Sequence, residues 1–195
     1  MQLTDSLVVT QQFASVPMPV FTCSLAPHRE ALSLAREAID DLRAIDPNPM
    51  KSNVHSVYVS PFDSHYRTPK FGPLCEIIRQ IGKFASKTYL SSDFDALGLD
   101  YLVKDCWGMI YESSDYTVPH NHFPAELSCA IYLEADPNCA PIIFGESIGI
   151  QPVNDLLVLF PGVLTHSVPA TSGRRVVVSM NLFKFAKPIQ PPQPS

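Results

Sequence analysis

The sequence predicts an α+β fold in which N-terminal helices pack on one face of a jelly-roll sheet. Helical periodicity is confined to the first half of the chain. From Tyr101 onward it gives way to short apolar runs broken by Pro, Gly, Asn and Ser. Helices followed by strands, rather than alternating with them, point to α+β. At 195 residues and 46% apolar, the chain can bury one core without dividing in two.

Met1 to Gln12 reads as a first edge strand or a loose lead-in, and Val16 to Cys23 as an extended segment that Pro17 and Pro19 confine to an edge. Pro27 opens a helical stretch. From His28 to Ile45 the apolar residues Leu32, Ala35, Ala38, Ile39 and Leu42 recur at helical spacing, until Asp46 to Pro49 stops them. His55 to Ser60 alternates like a strand. Pro69 to Leu90 carries a second helix with Leu74, Ile77, Ile78, Ile81, Phe84 and Ala85 on one face. Strands follow over Val103 to Tyr111, Leu127 to Leu133, Pro141 to Phe144, Leu156 to Phe160 and Arg175 to Phe185, a spacing that fits a sandwich or barrel. Lys187 to Ser195 is too proline-rich for a sheet interior. The expected layout is a single domain over residues 1–186 and a flexible tail over 187–195.

A net charge of -5 and a pI near 5.6 argue against nucleic acid or an anionic membrane surface as partner, since both need a basic face. Small molecules or other proteins are the expected partners. Five cysteines at irregular spacing, without a C-x-x-C pair, suggest neither a disulfide framework nor a cysteine zinc site. No export signal and no long apolar run is visible, so a cytoplasmic location is expected.

The chemistry-bearing residues lie in the second half. In a strand, side chains at i and i+2 share a face, so His120 and His122 can converge on one point. His166, after Phe160-Pro-Gly162, supplies a third imidazole from another strand. Three ligands on one side of a metal leave positions open for oxygen and an organic substrate. A structural zinc would want a fourth. Arg175 opens the last strand, where its planar guanidinium can fork onto a carboxylate in a way no lysine reproduces. A dicarboxylate chelating the metal and reaching Arg175 is the expected occupant, with Arg174 facing the other way into solvent. His28, His55 and His65 read as surface residues, and Trp107, Phe144 and Phe160 as core or pocket packing.

In order along the chain, Trp107, His120-Asn-His122-Phe-Pro124, Leu127 to Leu133, Leu159-Phe-Pro161, His166-Ser-Val168 and Arg175 to Asn181 resemble the motifs of the 2-oxoglutarate and iron(II)-dependent oxygenase superfamily, in particular a group of small oxygenases with a His-x-His motif. That resemblance implies a double-stranded β-helix (jelly-roll, cupin-like) core. It also implies Fe(II) held by His120 and His166, and 2-oxoglutarate anchored by Arg175, with Tyr111 and Asn181 as further candidate cofactor-binding residues. The implied reaction uses O2 to decarboxylate 2-oxoglutarate to succinate and CO2, and hydroxylates an unactivated carbon of a small-molecule or amino-acid-like substrate.

The departure is His122, where most members of that superfamily place Asp or Glu. His122 can be a third imidazole ligand, Glu126 or Asp115 can supply the carboxylate, or water or halide can fill a vacant position. Two other readings stay open. His-x-His-x-x-x-Glu126 and the Pro161-Gly162 before the last histidine also resemble cupin motifs, so a three-histidine dioxygenase or hydrolase that does not use 2-oxoglutarate is one. A non-catalytic jelly-roll binding protein is the other.

Overall fold

The computed structural model describes residues 17–188 except 92, 146, 147 and 171. The lead-in expected over Met1 to Gln12, and the tail beyond Pro188, lie outside the described residues. Lys187 does not hang free: its N–H donates to the Gly98 carbonyl at 2.8 Å and its ammonium pairs with Asp95 at 2.8 Å.

Two antiparallel sheets form a double-stranded β-helix. The larger sheet contains β1 (Phe21–Ser24), β3 (Tyr58–Val59), β4 (Leu99–Tyr111), β6 (Leu127–Ala135), β9 (Leu156–Pro161) and β11 (Arg175–Ala186), in the order β1-β9-β6-β11-β4-β3. The smaller sheet contains β2 (Val54–His55), β5 (Tyr116–His120), β7 (Ile142–Phe144), β8 (Ile148–Ile150) and β10 (His166–Val168), in the order β2-β5-β10-β7-β8. The strand expected over His55 to Ser60 is thus two pieces in different sheets. The chain crosses from one sheet to the other at Ser56 and Val57, which periodicity along the chain cannot register.

Helices α1 (Arg29–Ile45) and α3 (Gly72–Leu90) cover the outer face of the larger sheet, and the short α2 (Ser64–Arg67) bridges toward β4. Apolar residues spaced for one helical face bury Leu32, Ala35, Ala38, Ile39 and Leu42 of α1, together with Leu74, Ile78 and Ala85 of α3. Phe84, expected on that face, is 72% exposed. It sits at the border of the stripe, over a groove lined by Phe21, Thr22 and Cys23 of the edge strand β1. Helix α1 approaches β4 at Gly108, where an added Cβ would fall 2.3 Å from Cγ1 of Ile39. Any larger residue there collides with the Ile39 side chain.

A second apolar cluster fills the space between the sheets, with Trp107, Met109 and Tyr111 of β4 facing Phe144 and Phe160. Alternation along the last part of β4 therefore sends Trp107, Met109 and Tyr111 into the barrel and Cys106 and Ile110 under the helices, whereas before the register shift opposite Asn181 and Leu182 it is the odd-numbered Tyr101 and Val103 that lie on the helix side. This interior, open at one end, positions the site. No described helix is long and apolar enough to cross a membrane.

Candidate metal centre

His120 is the last residue of β5, and His166 the first of β10. They stand directly opposite each other in the β5–β10 ladder. Direct cross-strand neighbours have Cβ atoms within about 5.5 Å, which brings the two rings together, and their centroids are 4.3 Å apart. His122 lies beyond the end of β5, so strand alternation does not place it. A turn does: its N–H donates to the Gly162 carbonyl at 2.7 Å, and its carbonyl accepts from Ala125 N–H at 2.8 Å. Gly162 in turn donates to the Glu126 carbonyl at 3.0 Å. An added Cβ at Gly162 would meet the Ala125 carbonyl oxygen at 2.1 Å, so only glycine permits this contact. The His122 ring then lies 4.9 Å from His120 and 5.1 Å from His166. One nitrogen from each of the three falls within 4.8 Å of the other two.

Electrostatics and hydrogen bonding prepare these nitrogens as donors to a cation. Burial depresses the basicity of all three rings, and mutual repulsion of their charged forms adds to it for His122 and His166. His122 is brought down to about 3, His166 to about 4, and His120 below its usual value. All three are neutral at pH 7. Nδ1 of His120 lies 2.9 Å from the Val118 carbonyl, and Nδ1 of His166 lies 3.1 Å from the Leu164 carbonyl. A carbonyl can only accept, so both Nδ1 atoms carry the proton and both Nε2 lone pairs are bare. Three neutral imidazoles, two of them with lone pairs oriented by these bonds, fit a divalent transition metal.

The carboxylates considered as replacements for His122 are elsewhere. Glu126 is ion-paired with Lys184. Asp115 accepts from the backbone N–H of Glu112 at 2.8 Å and of Val57 at 3.1 Å. Neither belongs to the histidine cluster.

Behind the histidines, a pocket of about 460 Å³, open mouth included, reaches Arg175. Arg175 is 1% exposed and pairs across the ladder with Tyr111, over whose ring its guanidinium stacks at 4.1 Å. The Tyr111 hydroxyl instead shares a hydrogen bond with Thr117 at 2.8 Å. Nη1 of Arg175 donates to the Ala140 carbonyl at 2.9 Å, whereas Nε and Nη2 have no acceptor. Those two N–H groups form one edge of the guanidinium, the fork that grips a carboxylate. Arg174 points outward as expected, but it is ion-paired with Glu134 and, at 3.2 Å, with Glu112. Asn181 accepts from Ser128 and donates to Asp105, both at 2.9 Å, and opens onto an outer cleft rather than onto Arg175.

Thr117 and the Ala140 carbonyl escaped sequence reasoning. A carbonyl has no residue signature, and Thr117 became legible only through its partner Tyr111. His65, read as a surface residue, is half-buried, with Nε2 3.1 Å from the Val103 carbonyl.

No family model and no curated protein matches the chain. Solved structures do. A prolyl-4-hydroxylase from Pseudomonas putida aligns with a TM-score of 0.59 at 16% identity, over 84% of this chain and 91% of that one. The non-haem alpha-ketoglutarate-dependent epimerase SnoN from nogalamycin biosynthesis aligns with a TM-score of 0.62 at 13% identity, over 87% and 80%. An oxidoreductase of the 2OG-Fe(II) oxygenase family from Burkholderia pseudomallei gives 0.55 at 12% identity, over 84% of both chains. The protein thus has a 2OG-Fe(II) oxygenase-like fold whose open end carries a three-histidine cluster able to hold a metal.

Proposed function

We propose that this protein is a metal-dependent oxygenase built on a three-histidine centre, with a carboxylate-bearing ligand held by Arg175. The observation that carries the reading is the juxtaposition, in one pocket, of three neutral imidazoles and a buried guanidinium with one unpaired edge. A bare cation surrounded by neutral rings favours an anionic chelator, and an unpaired buried arginine edge favours a carboxylate. His120, His122 and His166 would hold Fe(II), which when bound supplies the means to activate O2. The apolar wall of Ile142, Phe160 and Val168 keeps water from the reacting groups.

Two forms follow from this arrangement. In one, the carboxylate belongs to 2-oxoglutarate, and the enzyme hydroxylates a small-molecule or amino-acid-like substrate with succinate and CO2 as co-products. Arg175 favours this form. In the other, the carboxylate belongs to the substrate itself, and the centre works as a cupin-type dioxygenase or hydrolase without a keto acid. The all-imidazole donor set, with no carboxylate among the described residues of the cluster, favours the second form. Five unpaired cysteines support a reducing, cytoplasmic setting.

Anaerobic titration with Fe(II) and then 2-oxoglutarate tests the proposal. The first form predicts visible charge-transfer absorption that Arg175→Lys weakens, and succinate release on admitting O2. The second predicts metal uptake without either. Absence of metal uptake by the wild type, or uptake whose affinity is unchanged in His166→Ala, refutes both.

A further inference from the structure

A second, wider cleft opens beside the same histidines. It encloses about 1070 Å³, open mouth included, and meets the inner pocket at Val54, Trp107, His120 and His122. Its walls mix aromatic and polar side chains: Phe62 stands edge-on to Trp107 at 5.1 Å, and Phe123, beside His122, is 73% exposed at the rim. Two N–H donors of this wall have no acceptor, Nε1 of Trp107 and Nδ2 of Asn53. Trp107 is itself only 6% exposed, so its N–H cannot be satisfied by bulk water. The two charged side chains of the cleft are of opposite sign and cancel: Lys104, which lies over the Phe183 ring at 4.7 Å, and Asp105, which accepts from Asn181 at 2.9 Å. What the cleft offers a ligand is therefore neutral N–H donors set in aromatic surface.

We propose that this cleft binds the substrate, and that the substrate is a neutral molecule presenting an amide-type carbonyl oxygen beside an apolar group. The carbonyl accepts from Trp107 and Asn53, and the apolar group lies against Phe62 and Phe123. The inference rests on the metal-centre reading, which is what makes the edge of the cleft nearest His120 and His122 the reacting end. Charged substrates are disfavoured, because the opposite charges of Lys104 and Asp105 leave the described lining of the cleft with no net charge to replace lost hydration.

Trp107 is the only tryptophan in the chain, so its fluorescence reports directly on the cleft. The test titrates metal-free protein with N-acetyl-L-phenylalanine methylamide and, separately, with an alkylbenzene of matched length lacking any carbonyl. The amide is expected to bind saturably with a change in Trp107 emission. The alkylbenzene, and the amide against Asn53→Ala, should each bind roughly three- to tenfold more weakly. Trp107→Phe, read by calorimetry with circular dichroism as the folding control, should lose a similar factor. If Trp107→Phe does not fold, Asn53→Ala and the alkylbenzene comparison still decide. No saturable amide binding, equal affinity for the two probes, or unchanged affinity in Asn53→Ala overturns the proposal. A parallel titration with Fe(II) separates the two readings. Metal uptake without amide binding sinks this inference alone, and amide binding without metal uptake sinks the substrate role while the carbonyl site stands.

Discussion

Acidification of the metal-free protein probes the histidine cluster directly. An unfolded imidazole titrates near 6.5, whereas folded His122 titrates near 3 and folded His166 near 4. The folded values lie below the unfolded one, so as pH falls the unfolded chain takes up protons first. Stability present above pH 6.5 is therefore lost as pH drops toward the folded values. Between pH 7 and 5 an unfolded histidine goes from about one-quarter to almost fully protonated while the two folded rings stay essentially bare, a loss of about 2 kcal/mol per ring. His166 is 6% exposed and keeps most of that figure, while His122 is only half-buried and keeps less, so the pair together contributes about 3 kcal/mol. His65 and His120 are shifted in the same direction and add to it. Carboxylates with lowered values, such as Glu76 and Glu134, give up their contribution only below about pH 4.5, outside the window. Urea unfolding at pH 7, 6 and 5 with a chelator present measures the loss, and the double variant His122→Asn/His166→Asn should lose about 3 kcal/mol less than the wild type. Wild-type stability that is flat across this range, or a double variant as pH-sensitive as the wild type, would refute the burial and mutual repulsion on which the neutral donor set depends.

Three further outcomes follow from particular contacts. Gly162→Ala puts a methyl group against backbone that cannot rotate away, and should cost about 1–3 kcal/mol in unfolding experiments while weakening metal uptake about tenfold through His122. Gly108→Ala collides with Ile39 and should cost a similar 1–3 kcal/mol with metal affinity unchanged, and combining it with Ile39→Ala should cost less than the sum of the two single changes in a double-mutant cycle. Arg175→Met removes a buried charge with an unpaired edge, so thermal unfolding should leave stability within about 1 kcal/mol of wild type. Binding of 2-oxoglutarate by the Fe(II) form, measured by calorimetry, should fall at least roughly tenfold if that acid is the ligand.

The long elements were legible because each has enough residues for its period to show. Helices α1 and α3 begin and end within a few residues of expectation, and β4, β6, β9 and β11 each carry apolar runs of several residues. The smaller sheet was not legible in the same way. Its strands β8 and β10 are three residues each, and β5 contains Pro119 and has mostly exposed side chains, so neither length nor alternation marks them. The histidines were chosen correctly as a spatial group, but for a reason that holds only in part. His120 and His166 meet through strand register, whereas His122 is turned inward by backbone bonds to Gly162 and Ala125 that leave no side-chain signature. The unpaired indole of Trp107 was equally invisible, since a strand tryptophan reads as packing until its N–H is seen to lack an acceptor.

His120 and His166 occupy a single rung of the smaller sheet, yet the chain between them spans 46 residues, the difference of their numbers. An ion shared by the two would bridge that span in the manner of a covalent crosslink, and the chain could not grip it until β5 and β10 had already come together. Free ion at a hundred times its dissociation constant would add about 2.7 kcal/mol to the native side, concentrated in two short strands of the smaller sheet. Amide protons of β5 and β10 should then exchange fastest in the stripped protein and slow most on loading, which makes the lesser sheet a gauge of occupancy that needs no turnover to read.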